Sequence, residues 1–125
     1  MVKLLLVIGT GSFVGGISRF LVSRLIQNTV LSTFPYGTLV VNVLGCLLIG
    51  LLYGISERGG LLSPEWRMFL TVGFCGSFTT FSTFAHENFS LLRDGSFFHF
   101  AVYISLSLVL GFIAIYLGNL ITKMF

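Results

Sequence analysis

The stretch GFCGSFTTFSTF, residues 73–84, joins Phe74, Phe78, Phe81 and Phe84 to the hydroxyls of Ser77, Thr79, Thr80, Ser82 and Thr83. It carries no charge and lies inside an apolar region. Such groups hold a ligand weakly, because a phenylalanine edge carries only the partial positive charge of its quadrupole and a hydroxyl both donates and accepts. A second polar group deep in an apolar run is Asn42, within VVNVLG. An amide there must find partners in a medium that offers none, and its two N–H groups suit an anion without adding a full charge. Uncharged donors bind an anion loosely enough to release it, as a conducting pathway requires. Gly73 and Gly76 mark a place where a helix can be interrupted, and carbonyls freed there are ligands for a hard cation such as Na⁺. The alternative is a continuous helix whose Ser and Thr bond back to the preceding turn.

The elements that carry these residues follow from composition. The chain has 125 residues, 55% of them hydrophobic and 9% charged, with a mean hydropathy of +1.01, which is the composition of an integral membrane protein. A helix needs about 20 mainly apolar residues to cross the hydrocarbon layer. Four segments qualify, at 4–26, 37–56, 65–93 and 97–122, and they predict one all-α transmembrane domain over 1–125. Nothing alternates at the period of two that a membrane β-barrel demands. The start, MVKLLLVIGTGSF, reads as the first span rather than a cleaved secretory signal, because no A-x-A-like site follows and apolar character resumes beyond Gly16.

Ser63 and Pro64 read as an N-cap and first-turn proline, so the third helix starts near Glu65. Run to Arg93 it would be about 43 Å long, more than the hydrocarbon thickness. It must tilt or break, and Gly73, Gly76 and the hydroxyl cluster predict a break at mid-membrane. Phe74, Phe78, Phe81 and Phe84 are spaced as one helical stripe. Arg19, in GGISRF, and Glu87, one turn beyond Phe84, are expected near the span ends as helix-end or vestibule charges.

Placed on four spans, Lys3, Arg58, Arg67 and Lys123 fall on one side and Arg19, Arg24 and Arg93 on the other. Lys and Arg bias normally sets orientation, and a balance of four to three predicts little preference. Copies inserted both ways up would be able to pair antiparallel; a small real bias is the alternative. One four-helix subunit is too small to enclose a polar pathway, so an oligomer is expected. GxxxG patterns at Gly11 to Gly15 and Gly50 to Gly54 support close helix packing.

Several function classes are disfavoured. Cys46 and Cys75 fall within spans and read as small hydrophobes, and His86 and His99 lack partners at metal-ligand spacing. There is no GxxxxGK[ST] nucleotide motif, no basic run for nucleic acid, and no Ser or Cys with a His at matching depth to make an intramembrane enzyme.

Together GGISRF (15–20), YGTLVVNVLGCLLIG (36–50) and TVGFCGSFTTFSTFAHE (71–87) resemble the small fluoride channels of the Fluc (CrcB) family, across essentially the whole chain. The resemblance implies an antiparallel, dual-topology homodimer in the plasma (inner) membrane, with two fluoride pores around a central Na⁺ that is not transported. It implies that backbone oxygens of Gly76 and Thr79 from both subunits hold the Na⁺. The pore would be lined by Asn42, Phe81 and Phe84, with Ser82 and Thr83 as neighbouring hydroxyls and Arg19 and Glu87 toward the pore ends. Tyr103 and Ser107 match a polar track on the fourth span, while Gly111 stands where that track often has a serine and Ser77 where a second glycine is common. The implied role is passive export: hydrogen fluoride enters cells, dissociates and is trapped as F⁻, and the membrane potential suffices to drive it out. The runner-up, a small four-helix multidrug-type cation transporter, calls for a membrane-embedded carboxylate, and the first three spans have none near their centres.

Overall fold

The computed structural model describes residues 1–30, 32–59 and 61–124, so the last glycine of the 57–60 connection lies outside the described residues. Helix α1 spans Val2–Thr29 and α2 spans Tyr36–Ser56. The turn between them is held by Gln27, whose Nε2 donates to the carbonyls of Ser32 (2.9 Å) and Phe34 (3.0 Å) while its Oε1 accepts from Gly37 N (3.1 Å). The third span begins as α3, Pro64–Met68, where Ser63 Oγ accepts from Trp66 N (3.2 Å) as the sequence predicts.

From there the span departs from a regular α-helix. Phe69–Cys75 is π-helical, Gly76–Phe78 returns to α geometry as α4, and Thr79 (φ −88°, ψ 159°) and Thr80 (φ −150°, ψ 124°) are extended. Helix α5 then spans Phe81–Arg93. It closes with Gly95 at φ +79°, Gly95 N bonding Leu92 O and Ser96 N bonding Leu91 O, the left-handed glycine cap that lets the chain reverse. Helix α6 is Phe97–Lys123. Among the described residues, four segments are long and apolar enough to cross a membrane: Val2–Thr29, Tyr36–Ser56, Pro64–Arg93 and Phe97–Lys123.

Glycines decide which spans meet. A Cβ on Gly11 would lie 2.5 Å from Phe69 O, and one on Gly15 would overlap Phe74 O, so α1 lies backbone to backbone against the π-helical stretch. Gly73 takes part in the same contact, with Gly11 Cα 3.0 Å from where its Cβ would be. Gly50 faces Ile115 O, Gly54 faces Thr122 and Gly118 faces Leu47 O, which seats α2 along α6 with equal closeness. Buried Phe34, Leu39, Leu91 and Tyr103 form a small core between α2, α5 and α6. Most other large apolar side chains point outward, as lipid-facing helices require.

Candidate functional site

The site forms where α2 faces the extended pair Thr79–Thr80. Thr38, Asn42 and Cys46 follow at intervals of four and so share one face of α2. Asn42 grips Thr80 from both ends of its peptide groups: Nδ2 donates to Thr80 O (3.1 Å) and Oδ1 accepts from Thr80 N (2.8 Å). One Asn42 N–H is thereby committed to the backbone, leaving one of the two that the sequence reading allotted to a ligand. Thr80 Oγ1 caps α5 by accepting from Thr83 N (3.2 Å). Gly45 makes room for this approach, since a Cβ there would overlap Thr79 Cγ2.

These bonds redistribute the backbone partners of the third span. In a regular helix Thr80 N would bond Gly76 O, and Thr83 N would bond Thr79 O. Both donors are turned to other acceptors, Asn42 Oδ1 and Thr80 Oγ1. Thr79 N and Oγ1 both donate to Cys75 O (3.1 and 3.0 Å). Half-buried Arg19 does not stand at an open mouth; its Nε donates to Ser77 O (3.0 Å), so α1 braces the end of α4.

Beside the extended pair lies a cavity of about 320 Å³. Asn42, Cys46, Thr79, Thr80, Phe81, Phe84 and Ser107 supply its polar and aromatic lining, and Ile49, Leu108 and Ile115 its apolar wall. Ser107 Oγ is buried and has no hydrogen-bond partner among the described residues. Among the described residues, no ionised side chain lines this cavity. Its free side-chain donors are thus weak: an N–H of Asn42, the hydroxyls of Thr80 and Ser107, and the Cys46 thiol, next to two phenyl rings. The Phe81 and Phe84 centroids are 6.1 Å apart, and Phe84 also packs on Tyr103 at 5.1 Å.

One turn further along α5, a second polar cluster ties three spans together. Glu87 accepts from Thr38 Oγ1 (2.9 Å) on α2 and from Tyr103 Oη (2.8 Å) on α6. Tyr103 is 0% exposed. On its other side Glu87 borders a second cavity of about 400 Å³ with Gln27, Thr33, Ser90, Asp94 and Ser96. Glu87 is therefore a bonded junction between α2, α5 and α6, at the edge of a polar recess.

Several expectations change in position. The four phenylalanines do not make one stripe, because the extended pair rotates α5 relative to α4. Phe74 and Phe78 stack (5.5 Å, 13°) before the extended pair; Phe78 is buried, whereas Phe81 is 79% exposed. Ser82 is exposed, and neither it nor Thr83 lines the cavity that holds Asn42. Within the expected region the chain becomes extended at Thr79–Thr80, in the hydroxyl cluster, while Gly73 lies in the π-helical stretch and serves packing against Gly11. The sequence reading missed Thr38 and treated Cys46 only as a small hydrophobe. Their signal was the four-residue spacing from Asn42, visible once Asn42 is taken as a marker of a polar face.

Four spans of this length and apolar composition among the described residues define a multi-pass helical membrane protein. A family profile described as "CrcB-like protein, Camphor Resistance (CrcB)" matches residues 6–119, and the chain belongs to that family. It is 46% identical over 120 residues to the "Fluoride-specific ion channel FluC" of Chlorobium phaeobacteroides (strain BS1), covering 96% of this chain and 93% of that one. It is 40% identical over 125 residues to the protein of the same name from Azobacteroides pseudotrichonymphae genomovar. CFP2, covering 100% of both chains. The FluC of Campylobacter jejuni subsp. jejuni serotype O:23/36 (strain 81-176) is 45% identical over 123 residues, 98% of this chain and 100% of the other.

Proposed function

We propose that this protein is a fluoride-selective channel that passes F⁻ down its electrochemical gradient out of the cell across the plasma (inner) membrane. The observation that carries the reading is the cavity at the extended pair, where Asn42, Ser107, Phe81 and Phe84 offer several weak donors and no full charge, in a chain 46% identical to a protein named for fluoride conduction. Fluoride is small and strongly hydrated, so closely fitted weak donors can replace part of its shell, whereas a charged cage would retain it. A cation transporter would need a free carboxylate in this cavity, and Glu87, the nearest acidic residue along α5, is bonded to Thr38 and Tyr103 instead.

The working unit in this reading is an antiparallel homodimer. Support comes from the cavity's open side: Phe81 is 79% exposed although it lines the cavity that holds Asn42, and Ser82 beside it faces outward. A second copy would cover Phe81 and bring Ser82 and Thr83 to a pathway. The four-to-three charge balance favours opposite orientations. Pro64–Met68 through Gly76–Phe78 matches Phe81–Arg93 roughly in length, which supports placing Thr79 and Thr80 near the middle of the bilayer.

A structural Na⁺ fits the residues present. The usual N–H partners of the Gly76 and Thr79 carbonyls are engaged elsewhere, and neutral carbonyl oxygens suit a hard monovalent cation. In a dimer these four oxygens would hold the ion and lock the two extended segments together. The test is efflux from liposomes containing the purified protein, comparing fluoride, chloride and a cationic dye. Fluoride should leave selectively and without a coupled ion, and its efflux should fall after thorough exchange into Na⁺-free buffer. Dye efflux, or chloride leaving as fast as fluoride, overturns the channel reading.

A further inference from the structure

We propose that Cys46 is a pathway residue whose thiol is the next weak donor beyond Asn42 and helps set the conduction rate. The inference rests on the fluoride reading above. Cys46 lies one helical turn after Asn42 and lines the same cavity as Phe81, Phe84 and Ser107. On the facing helix, Ser107 and Gly111 are likewise one turn apart. The two helices thus present two polar levels. At the first, the Asn42 amide shares the cavity with the unpartnered Ser107 hydroxyl. At the second, the Cys46 thiol lies against Gly111: a Cβ added to Gly111 would find Cys46 Sγ at 3.5 Å and nothing else within 4 Å.

The sulfur thus lies within van der Waals reach of the place a Gly111 side chain would take, and among the described residues lining this cavity the thiol is the polar side chain one turn beyond Asn42 on α2. A thiol donates weakly and is polarisable, so it extends the set of uncharged donors without adding a tight site. Cys75 is a contrast within the same chain. Its side chain is 1% exposed, packed in the π-helical stretch, and borders none of these cavities.

The geometry allows the polar group to be moved from one helix to the other. Cys46→Ala should lower fluoride efflux by about three- to tenfold, the effect of losing one weak hydrogen bond to the permeating ion. Adding Gly111→Ser to Cys46→Ala places a hydroxyl in the vacated space and should restore the rate to within about twofold of the parent. Cys46→Ala combined with Gly111→Ala refills volume without a donor and should leave the rate low; rescue by that pair would show that Cys46 only fills volume and overturn the donor role.

Mercuric chloride, small and neutral, is the second probe. An Hg–S bond forms, and the thiol proton and one chloride leave as HCl. Block is expected in the parent and in Cys75→Ala, and not in Cys46→Ala. Gel filtration checks that each variant keeps the parent's assembly. Parent-rate efflux in Cys46→Ala overturns the donor role, and block that persists in Cys46→Ala overturns exposure of the thiol to the pathway. If the parent itself passes no fluoride, the channel reading falls and this proposal with it.

Discussion

Replacing Asn42 separates its two roles, holding the backbone and offering a donor. The amide satisfies both Thr80 N–H and Thr80 C=O, at 2.8 and 3.1 Å. Asn42→Ala strands both groups, and leaving a buried donor or acceptor unpaired costs about 1–3 kcal/mol each, so the variant should lose roughly 2–6 kcal/mol of stability. Asn42→Asp keeps the acceptor for Thr80 N–H. It turns the donor into a carboxylate oxygen beside Thr80 O and places a negative charge in the cavity. It should be less unstable than the alanine variant but conduct least of all.

The assay pairs SDS-induced unfolding, followed by the fluorescence of Trp66, the single tryptophan, with fluoride efflux measured by electrode. Asn42→Ala unfolding within about 0.5 kcal/mol of the parent, the range of a surface substitution, would refute the backbone-holding argument. Asn42→Asp conducting at the parent rate would refute the donor argument.

Two further outcomes follow from the same arrangement. Phe81→Ile and Phe84→Ile keep apolar volume but remove the ring quadrupole, and each should reduce fluoride efflux greatly while the assembly persists; a double variant that assembles and conducts like the parent returns both rings to plain packing. Two or three lysines added to the 57–60 connection should force one orientation and abolish efflux, with rescue by a co-expressed copy of opposite bias; normal conduction by one strongly biased form would rule out antiparallel assembly.

The membrane class and the four spans were legible in the amino-acid sequence because they depend on local quantities: apolar run length, Pro35 and Pro64 at helix starts, and charges between runs. The α3 start at Ser63 and Pro64 was readable for the same reason, since a cap is made by residues three positions apart. The importance of Asn42 was also legible, because a lone amide in an apolar run implies a partner. Its partner was not. That Thr80 receives both of its bonds depends on α2 passing the extended pair, and Gly45 permits that only through a contact with Thr79.

Tertiary packing likewise decided what Gly73 does. The sequence shows a residue able to loosen a helix, and Gly73 does lie in the π-helical stretch, yet its lack of a side chain is used for approach to Gly11, and the chain becomes extended only at Thr79 and Thr80, where a neighbouring amide replaces missing ladder bonds. Arg19 and Glu87 stood out in the sequence as charges within apolar spans and were expected near the span ends, but α1 continues beyond Arg19 to Thr29 and α5 beyond Glu87 to Arg93. Their bonding to Ser77 and to Thr38 with Tyr103 was not legible, because each bond joins residues far apart in the chain. Periodicity assigns a residue to a face; only the crossing of helices determines what that face meets.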